Sequence, residues 1–222
     1  MRPVQVKICG ITRPEDAEFC SKIGVDAIGC VFYPRSPRFV EVNRAKEISL
    51  AFEGVVVGVF VNPDLEDVLR IVEKTGIRTV QLHGNEPDEL IRELESREIT
   101  VIKAFFHARE PSFTRAKSSS ASAFLAERGG KGLGGIGESW TWKDASELRK
   151  YGKPYLIAGG ISPENASEAL RHSQADGVDV SSGVEKSPGI KDPKLIETLI
   201  RVVDSTEISW EVKPVFSEKG RT

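Results

Sequence analysis

An apolar run, Val4 to Ile8, ends in a thiol at Cys9, and Gly10 follows at once. A cysteine at the mouth of a turn can act as a base or nucleophile when a nearby cation or helix N-terminus lowers its pKa from ~8.5. The same residue type is also a common small buried hydrophobe. Two later stretches carry glycines and hydroxyls. "AGGISPEN" (158–165) holds Gly159 and Gly160 just before a Ser-Pro pair, and "DVSSGVE" (179–185) holds Asp179, Ser181, Ser182 and Gly183. Glycine lets backbone approach an anion, so that peptide N–H groups can hold phosphate oxygens. Arg38, in "YPRSPRFV" (33–40), offers a fork of donors that fits a carboxylate. His83 closes "VQLH" (80–83) and Glu127 closes "SAFLAE" (122–127). Each is a polar group at the end of an apolar run, suited to proton exchange or to a structural hydrogen bond. The three histidines lie far apart, with no His/Cys/Asp spacing, so no metal site is expected.

These residues need elements that bring them together. β-rich runs recur at 4–9, 26–32, 55–61, 78–83, 99–105, 122–127, 154–159 and 176–181. Most are continuously apolar, as strands buried on both faces should be. Helical patterns lie between them. The first, from Pro14, has Thr12 and Glu15 spaced as a capping box. Others cover 43–53, 64–76, 87–96, 141–152 and 163–173. The last, 192–204, sets Leu195, Ile196, Leu199, Ile200 and Val203 on one face. Ser162-Pro163 and Asp192-Pro193 read as an N-cap followed by Pro at the first helical position. The stretch 107–122 is weakly helical and mostly loop. "RGGKGLGGIGES" (128–139) is too rich in glycine for a regular element and reads as a ligand-wrapping loop.

Eight strands alternating with helices over some 200 residues predict a single α/β domain, a (β/α)8 TIM barrel with a parallel eight-stranded core. Its boundaries are set at 1–204. The tail, 205–222, has no helical period and reads as an added short strand or a frayed end, although Trp210 and Phe216 argue that part of it packs. In such a barrel the active site lies at the C-terminal ends of the strands. Cys9, Arg35, Arg38, Asn62, His83, Glu127, Gly159, Gly160, Asp179, Ser181, Ser182 and Gly183 all follow or end strands there. The glycine turns after strands seven and eight are the expected phosphate site.

Composition excludes several classes. Of 222 residues, 31 are Lys or Arg and 33 Asp or Glu, a formal net charge of −2. There is no basic footprint for nucleic acid or a membrane surface. An anionic ligand must therefore be held by local geometry. Cys9, Cys20 and Cys30 are odd in number and form no CxxC, which points to a reducing cytoplasm. The N-terminal run is too short for a signal peptide, and no apolar run nears the ~20 residues of a spanning helix.

The chain resembles the phosphoribosylanthranilate isomerase family. The resemblance is carried by "KICGIT" (7–12), "GCVFYPRSPRFV" (29–40), "VGVFVN" (57–62), "VQLHG" (80–84), "GGIG" (134–137), "AGGISPENA" (158–166), "VDVSSGVE" (178–185) and "PGIKD" (188–192), in the family's order over roughly 4–204. It implies a cofactor-independent Amadori rearrangement of N-(5′-phosphoribosyl)anthranilate in tryptophan biosynthesis. Cys9 would be the general base, Arg38 would bind the anthranilate carboxylate, and Gly160, Ser181, Ser182 and Gly183 would hold the phosphate. The expected partner is a phosphorylated small molecule, and the expected assembly is a monomer or homodimer. Two departures stand out. The family's acid is an aspartate ending strand six, some seven residues before its Gly-Gly. Counting back from Gly134 reaches Glu127, with Ala126 before it. Glu127 is thus the expected acid, with a pKa held above ~4.3 by desolvation. Were Ala126 the equivalent, the acid would be missing, and a catalytically impaired phosphate-binding barrel would be the alternative. The second departure is "WTW" (140–142), where the family carries an Asp before its tryptophan. The related histidine-pathway isomerases resemble a duplicated half-barrel with Asp at strands one and five. Here those strands end in Cys9 and "KAF".

Overall fold

The computed structural model describes residues 4–129 and 141–216. Eight strands run parallel: β1 (Gln5–Cys9), β2 (Ala27–Val31), β3 (Val55–Phe60), β4 (Thr79–Leu82), β5 (Thr100–Phe106), β6 (Ala123–Glu127), β7 (Tyr155–Ile157) and β8 (Gly177–Val180). Each pairs with its neighbour in sequence, and β8 pairs back onto β1, closing the expected barrel. The period of two explains the continuous apolar runs. Val55, Val57, Val59, Ile102, Ala104, Leu125 and Leu156 fill the interior. Val56, Val80, Leu82, Val101 and Phe124 point outwards, into the layer shared with the helices.

The helices are α1 (Pro14–Lys22), α2 (Val42–Leu50), α3 (Leu65–Thr75), α4 (Asp88–Glu95), α5 (Ala166–Ser173) and α6 (Pro193–Asp204). Ile196, Leu199, Ile200 and Val203 of α6 are buried, as its pattern requires. Its N-cap is Asp192, whose side chain accepts from Lys194 N. The other two capping expectations fail. α1 starts after Arg13 with no side-chain cap, because the Thr12 hydroxyl donates instead to the distant Gly189 carbonyl. Ser162-Pro163 opens a turn rather than a helix. α5 starts at Ala166, and Asn165 Oδ1 accepts from Ser162 N. The segment Trp142–Tyr151, expected as an α-helix, is a 3-10 helix, opened by a Thr141–Asp144 capping box and stopped by left-handed Gly152. Phe113–Ser118 is also 3-10.

Two features escape the sequence pattern. An antiparallel pair, β9 (Glu185–Ser187) and β10 (Ile190–Lys191), follows β8 at the mouth of the barrel. The tail over 205–216 is neither strand nor frayed end. Val215 and Phe216 are buried against the barrel interior. Gln5 Oε1 accepts from Val215 N at 2.7 Å and Phe216 N at 2.9 Å, while its Nε2 donates to Phe216 O. An open barrel floor would leave apolar side chains wet, and this segment covers them. Most of the glycine-rich loop, 130–139, lies outside the described residues, as does Trp140.

Candidate active site

A cavity of about 430 Å3 opens at the C-terminal ends of the strands. Cys9, Arg38, His83, Glu127, Gly159, Gly160, Asp179, Ser181 and Ser182 all line it. Gly183 does not. It sits behind the wall, where an added Cβ would fall 2.0 Å from Ile161 O, so glycine there lets the turn after β8 press against the turn after β7. Arg35 and Asn62 also lie outside the cavity lining. Asn62 Oδ1 accepts from Asn85 N and braces the loop that follows His83.

The wall begins with β1, where Lys7 and Cys9 are two residues apart and share the inward face. Lys7 is fully buried, and its Nζ donates to Asp179 Oδ1 at 2.9 Å. The register explains the pairing, since Lys7 and Asp179 are direct neighbours in the β1–β8 ladder. Burial depresses the Lys7 ammonium, but Asp179 and Cys9 more than offset it, and its pKa lies above the usual lysine value. Cys9 behaves contrary to expectation. Burial pushes its thiol above the ordinary range, and the opposing pull of Lys7 and Lys191 does not reverse this. The cation is present as expected, yet Asp179 already answers it. Asp179 lines the cavity and Lys7 stands buried behind it, and only Asp179 was singled out from sequence. A lysine between Val6 and Ile8 in a buried strand was the available signal.

Glu127 ends β6 and its Oε2 lies 3.0 Å from His83 Nε2. Ala126 points the other way, into the layer beneath the helices, so the carboxyl at the mouth is Glu127. The expected upward pKa shift is not found. Burial acts upward, but the hydrogen bond and charge of His83, with Arg109 and Lys7, outweigh it and hold Glu127 below the ordinary range. His83 Nδ1 in turn faces Gln81 Nε2 at 3.0 Å. Sequence reasoning missed Gln81, although a glutamine two residues before His83 shares its face. The loop carrying His83 is braced by a buried pair, Lys103 Nζ to Glu86 Oε2 at 2.9 Å, and Glu86 accepts from Gly84 N and Asn62 N.

Arg38 reaches the cavity already engaged. Its Nε and Nη2 donate to Glu185 Oε1 and Oε2 at 2.8 and 2.6 Å. This side-on pair leaves the end-on edge of the guanidinium unspent by Glu185. Glu185 also accepts from Lys191 Nζ at 2.8 Å, and Lys191 donates to Cys9 O and Ser181 O. The β9–β10 hairpin thus supplies both Glu185 and Lys191, and it ties Arg38 to the ends of β1 and β8. Across the cavity, Gly159 and Gly160 take left-handed φ of 86° and 70°, which turn the backbone sharply after β7. Asn165 Nδ2 donates to Gly160 O and holds that turn. Ser181 leads into a single 3-10 turn, Ser182–Val184. The turns after β7 and β8 are accordingly two loops brought together at Gly183, and neither is the first turn of α5. Among the described residues, no group of three His, Cys, Asp or Glu side chains could hold a metal ion.

The comparisons with known proteins decide the family. The chain matches the family described as N-(5'phosphoribosyl)anthranilate (PRA) isomerase over residues 6–202. It belongs to that family. An N-(5'-phosphoribosyl)anthranilate isomerase of Desulfatibacillum aliphaticivorans is 44% identical over 217 residues, covering 96% of this chain and 99% of its own. The crystal structure of phosphoribosyl anthranilate isomerase from Thermotoga maritima superposes with a TM-score of 0.82 at 39% identity, covering 90% of this chain and 98% of its own. A phosphoribosyl anthranilate isomerase in complex with reduced 1-(o-carboxyphenylamino)-1-deoxyribulose 5-phosphate gives a TM-score of 0.80 at 37% identity, covering 90% and 98%. Family membership settles the parentage of the barrel. The roles of its residues rest on the geometry above.

Proposed function

We propose that this chain isomerises N-(5′-phosphoribosyl)anthranilate to 1-(2-carboxyphenylamino)-1-deoxyribulose 5-phosphate. The observation that carries the reading is a thiol and a carboxyl, Cys9 and Glu127, on one cavity whose other walls offer glycine turns and an arginine. The phosphate sits on the turns at Gly159–Gly160 and Ser181–Ser182. Arg38 meets the anthranilate carboxylate through its end-on edge. A proton from the Glu127 end of the cavity goes to the furanose ring oxygen, the C1′–O bond opens, and a Schiff base forms. Cys9 then removes the C2′ proton, and the enolamine tautomerises to the ketone. The thiol, held neutral in the resting site, first releases its proton to solvent and acts as the thiolate. Once the iminium charge has formed, it joins Lys7 and Lys191 in favouring the thiolate. No helix among the described residues is long and apolar enough to cross a membrane, and we place the reaction in the cytoplasm, where three unpaired cysteines persist.

The test is turnover of freshly generated substrate by the whole chain and by Cys9→Ala. The variant should keep its fold and lose at least ~10³-fold in kcat, since a positioned base contributes ~10²–10⁴. Near-normal turnover by a folded Cys9→Ala protein would sink the assignment.

A further inference from the structure

Gln81 lines the cavity and is almost wholly buried, yet the reaction above gives it no task. Its Nε2 faces His83 Nδ1 at 3.0 Å, and its Oε1 is buried with no hydrogen-bond partner in the protein. A side-chain amide has two orientations of nearly the same shape, so either its nitrogen or its oxygen can face the ring. The two orientations demand different proton counts. With the NH2 towards the ring, Nδ1 must accept. Nε2 then keeps its hydrogen and donates it to Glu127 Oε2, 3.0 Å away. The His83–Glu127 pair holds one proton and has none to give. With the carbonyl towards the ring, Nδ1 must carry a hydrogen. The contact with Glu127 still needs one of its own, either on Nε2 or on the carboxyl. The pair then holds two protons and can deliver one.

We propose that Gln81 loads the acid: its amide turns from nitrogen-facing to oxygen-facing as the His83–Glu127 pair takes up from solvent the proton that it later gives to the substrate's ring oxygen, and the proton leaving the C2′ hydroxyl returns to solvent. The proposal rests on the reading of Glu127 as the acid end of the site. The arrangement with Nε2 towards the ring and Oε1 unpartnered is the one that matches a one-proton pair. Delivery breaks the ring C–O bond, leaves the electron pair on oxygen, and returns the pair to one proton. Over a turnover, the protons lost from C2′ and from its hydroxyl balance those gained at the ring oxygen and at C1′. No oxidant or outside acid is consumed. Gln81 is a positioning residue, acting through His83. The other charged groups facing the pair are Lys7 of β1, with Cys9 and Asp179 beside it, and Arg109 after β5, with Glu86 behind it. Phe106 meets the His83 ring edge-on and adds no charge.

Two substitutions separate the orientations. Gln81→Glu presents only acceptors to Nδ1, and Gln81→Met presents neither donor nor acceptor of that kind. The chain has only three histidines, His83, His107 and His172, so 15N spectra resolve the His83 ring once a His83→Gln variant identifies its signals. In Gln81→Glu, Nδ1 should hold its hydrogen to higher pH than in the parent chain, and in Gln81→Met it should lose it at lower pH. Turnover should follow. Gln81→Met should lose ~10-fold or more in kcat with a smaller effect on KM, and Gln81→Glu should extend activity towards alkaline pH. Identical Nδ1 titration in all three proteins overturns the proposal while leaving the acid assignment intact. Full activity in Glu127→Gln overturns the acid assignment itself, and the loading role with it.

Discussion

Gly29 offers a sharp test of how tightly the Cys9 thiol is placed. The two residues are partners in the β1–β2 ladder. A Cβ at position 29 would stand 2.8 Å from Cys9 Sγ, 3.2 Å from its Cα and 3.4 Å from its Cβ. Unstrained heavy-atom contacts sit at ~3.5–4.0 Å, so in Gly29→Ala the sulfur must yield by roughly 1 Å. Overpacking of this kind costs about 1–3 kcal/mol. The stiffer unfolded chain returns about 0.4–1 kcal/mol. The variant should therefore fold, with a net loss of about 1–2 kcal/mol. Its rate should suffer more, because misplacing a reacting group by that distance is worth ~10²-fold. Thermal or urea unfolding measures the first effect, and steady-state turnover the second, which should fall on kcat rather than KM. The decisive step is a double-mutant cycle. Cys9→Ala deletes the sulfur and with it the worst contact, so Gly29→Ala in that background should cost little stability. An equal stability loss in both backgrounds, or an unchanged kcat in the single variant, refutes the proposed clash.

Further expectations follow from the charged walls. Arg38→Lys keeps the charge but loses the fork that serves Glu185 and the substrate carboxylate together, so kcat/KM should fall ~10-fold or more, and unchanged kinetics would count against the role. Glu185→Gln leaves Lys191 and Arg38 without their shared carboxylate and should cost about 3–5 kcal/mol in urea unfolding. Hydrogen bonds from Arg38 and Lys191 hold Glu185 below the ordinary range despite its burial. Its contribution is therefore present above the unfolded glutamate value of ~4.3 and is lost as pH falls through the lower folded value. The variant's stability should then fall less steeply on acidification than that of the parent chain, and parallel curves would dismiss the linkage. Glu127→Asp withdraws the carboxyl by one methylene from His83, so kcat should drop despite the family's own preference for aspartate; an equal or faster rate would show that the backbone is not set for the longer side chain.

The barrel was legible because its signals are local. Period, glycine punctuation and apolar runs can be read along the chain, and eight strand runs alternating with seven helical patterns leave few topologies open. The site was legible in part for the same reason, since the barrel delivers every strand end to one mouth. What stayed hidden depends on partners distant in sequence. Lys7 reads as an ordinary polar residue until its register with Asp179 is known, 172 positions away. Thr12 and Glu15 obey a capping rule that the Gly189 carbonyl overrides. The tail lacks any period because its contacts are with Gln5 and the barrel floor rather than with itself. The pKa expectations for Cys9 and Glu127 failed through the same blindness. A cation near a thiol lowers its pKa only if it outweighs burial and any anion beside it, and burial raises a carboxyl only if no donor sits beside it.

The buried lysines show how this barrel makes an irregular mouth rigid. Lys7, Lys103 and Lys191 are each at most 2% exposed, and each has one carboxylate within 2.9 Å: Asp179, Glu86 and Glu185. As stabilising devices such pairs are poor, since desolvation consumes most of the attraction and apolar side chains of similar size do as well. Their placement argues for a different use. Each lysine also reaches groups at a strand end: Lys7 the Cys9 side chain, Lys191 the carbonyls of Cys9 and Ser181, and Lys103 those of Leu82 and Gly84. Carbonyls at strand ends have left the ladder and need donors. A buried ammonium has three, aimed from a fixed root, and can satisfy loops from two or three strands at once. Apolar replacements could fill the volume but could not fix those loops relative to one another. The thiol, the His83 loop and the Arg38–Glu185 pair all stand on backbone held in this way, so the charges serve geometry first and stability second.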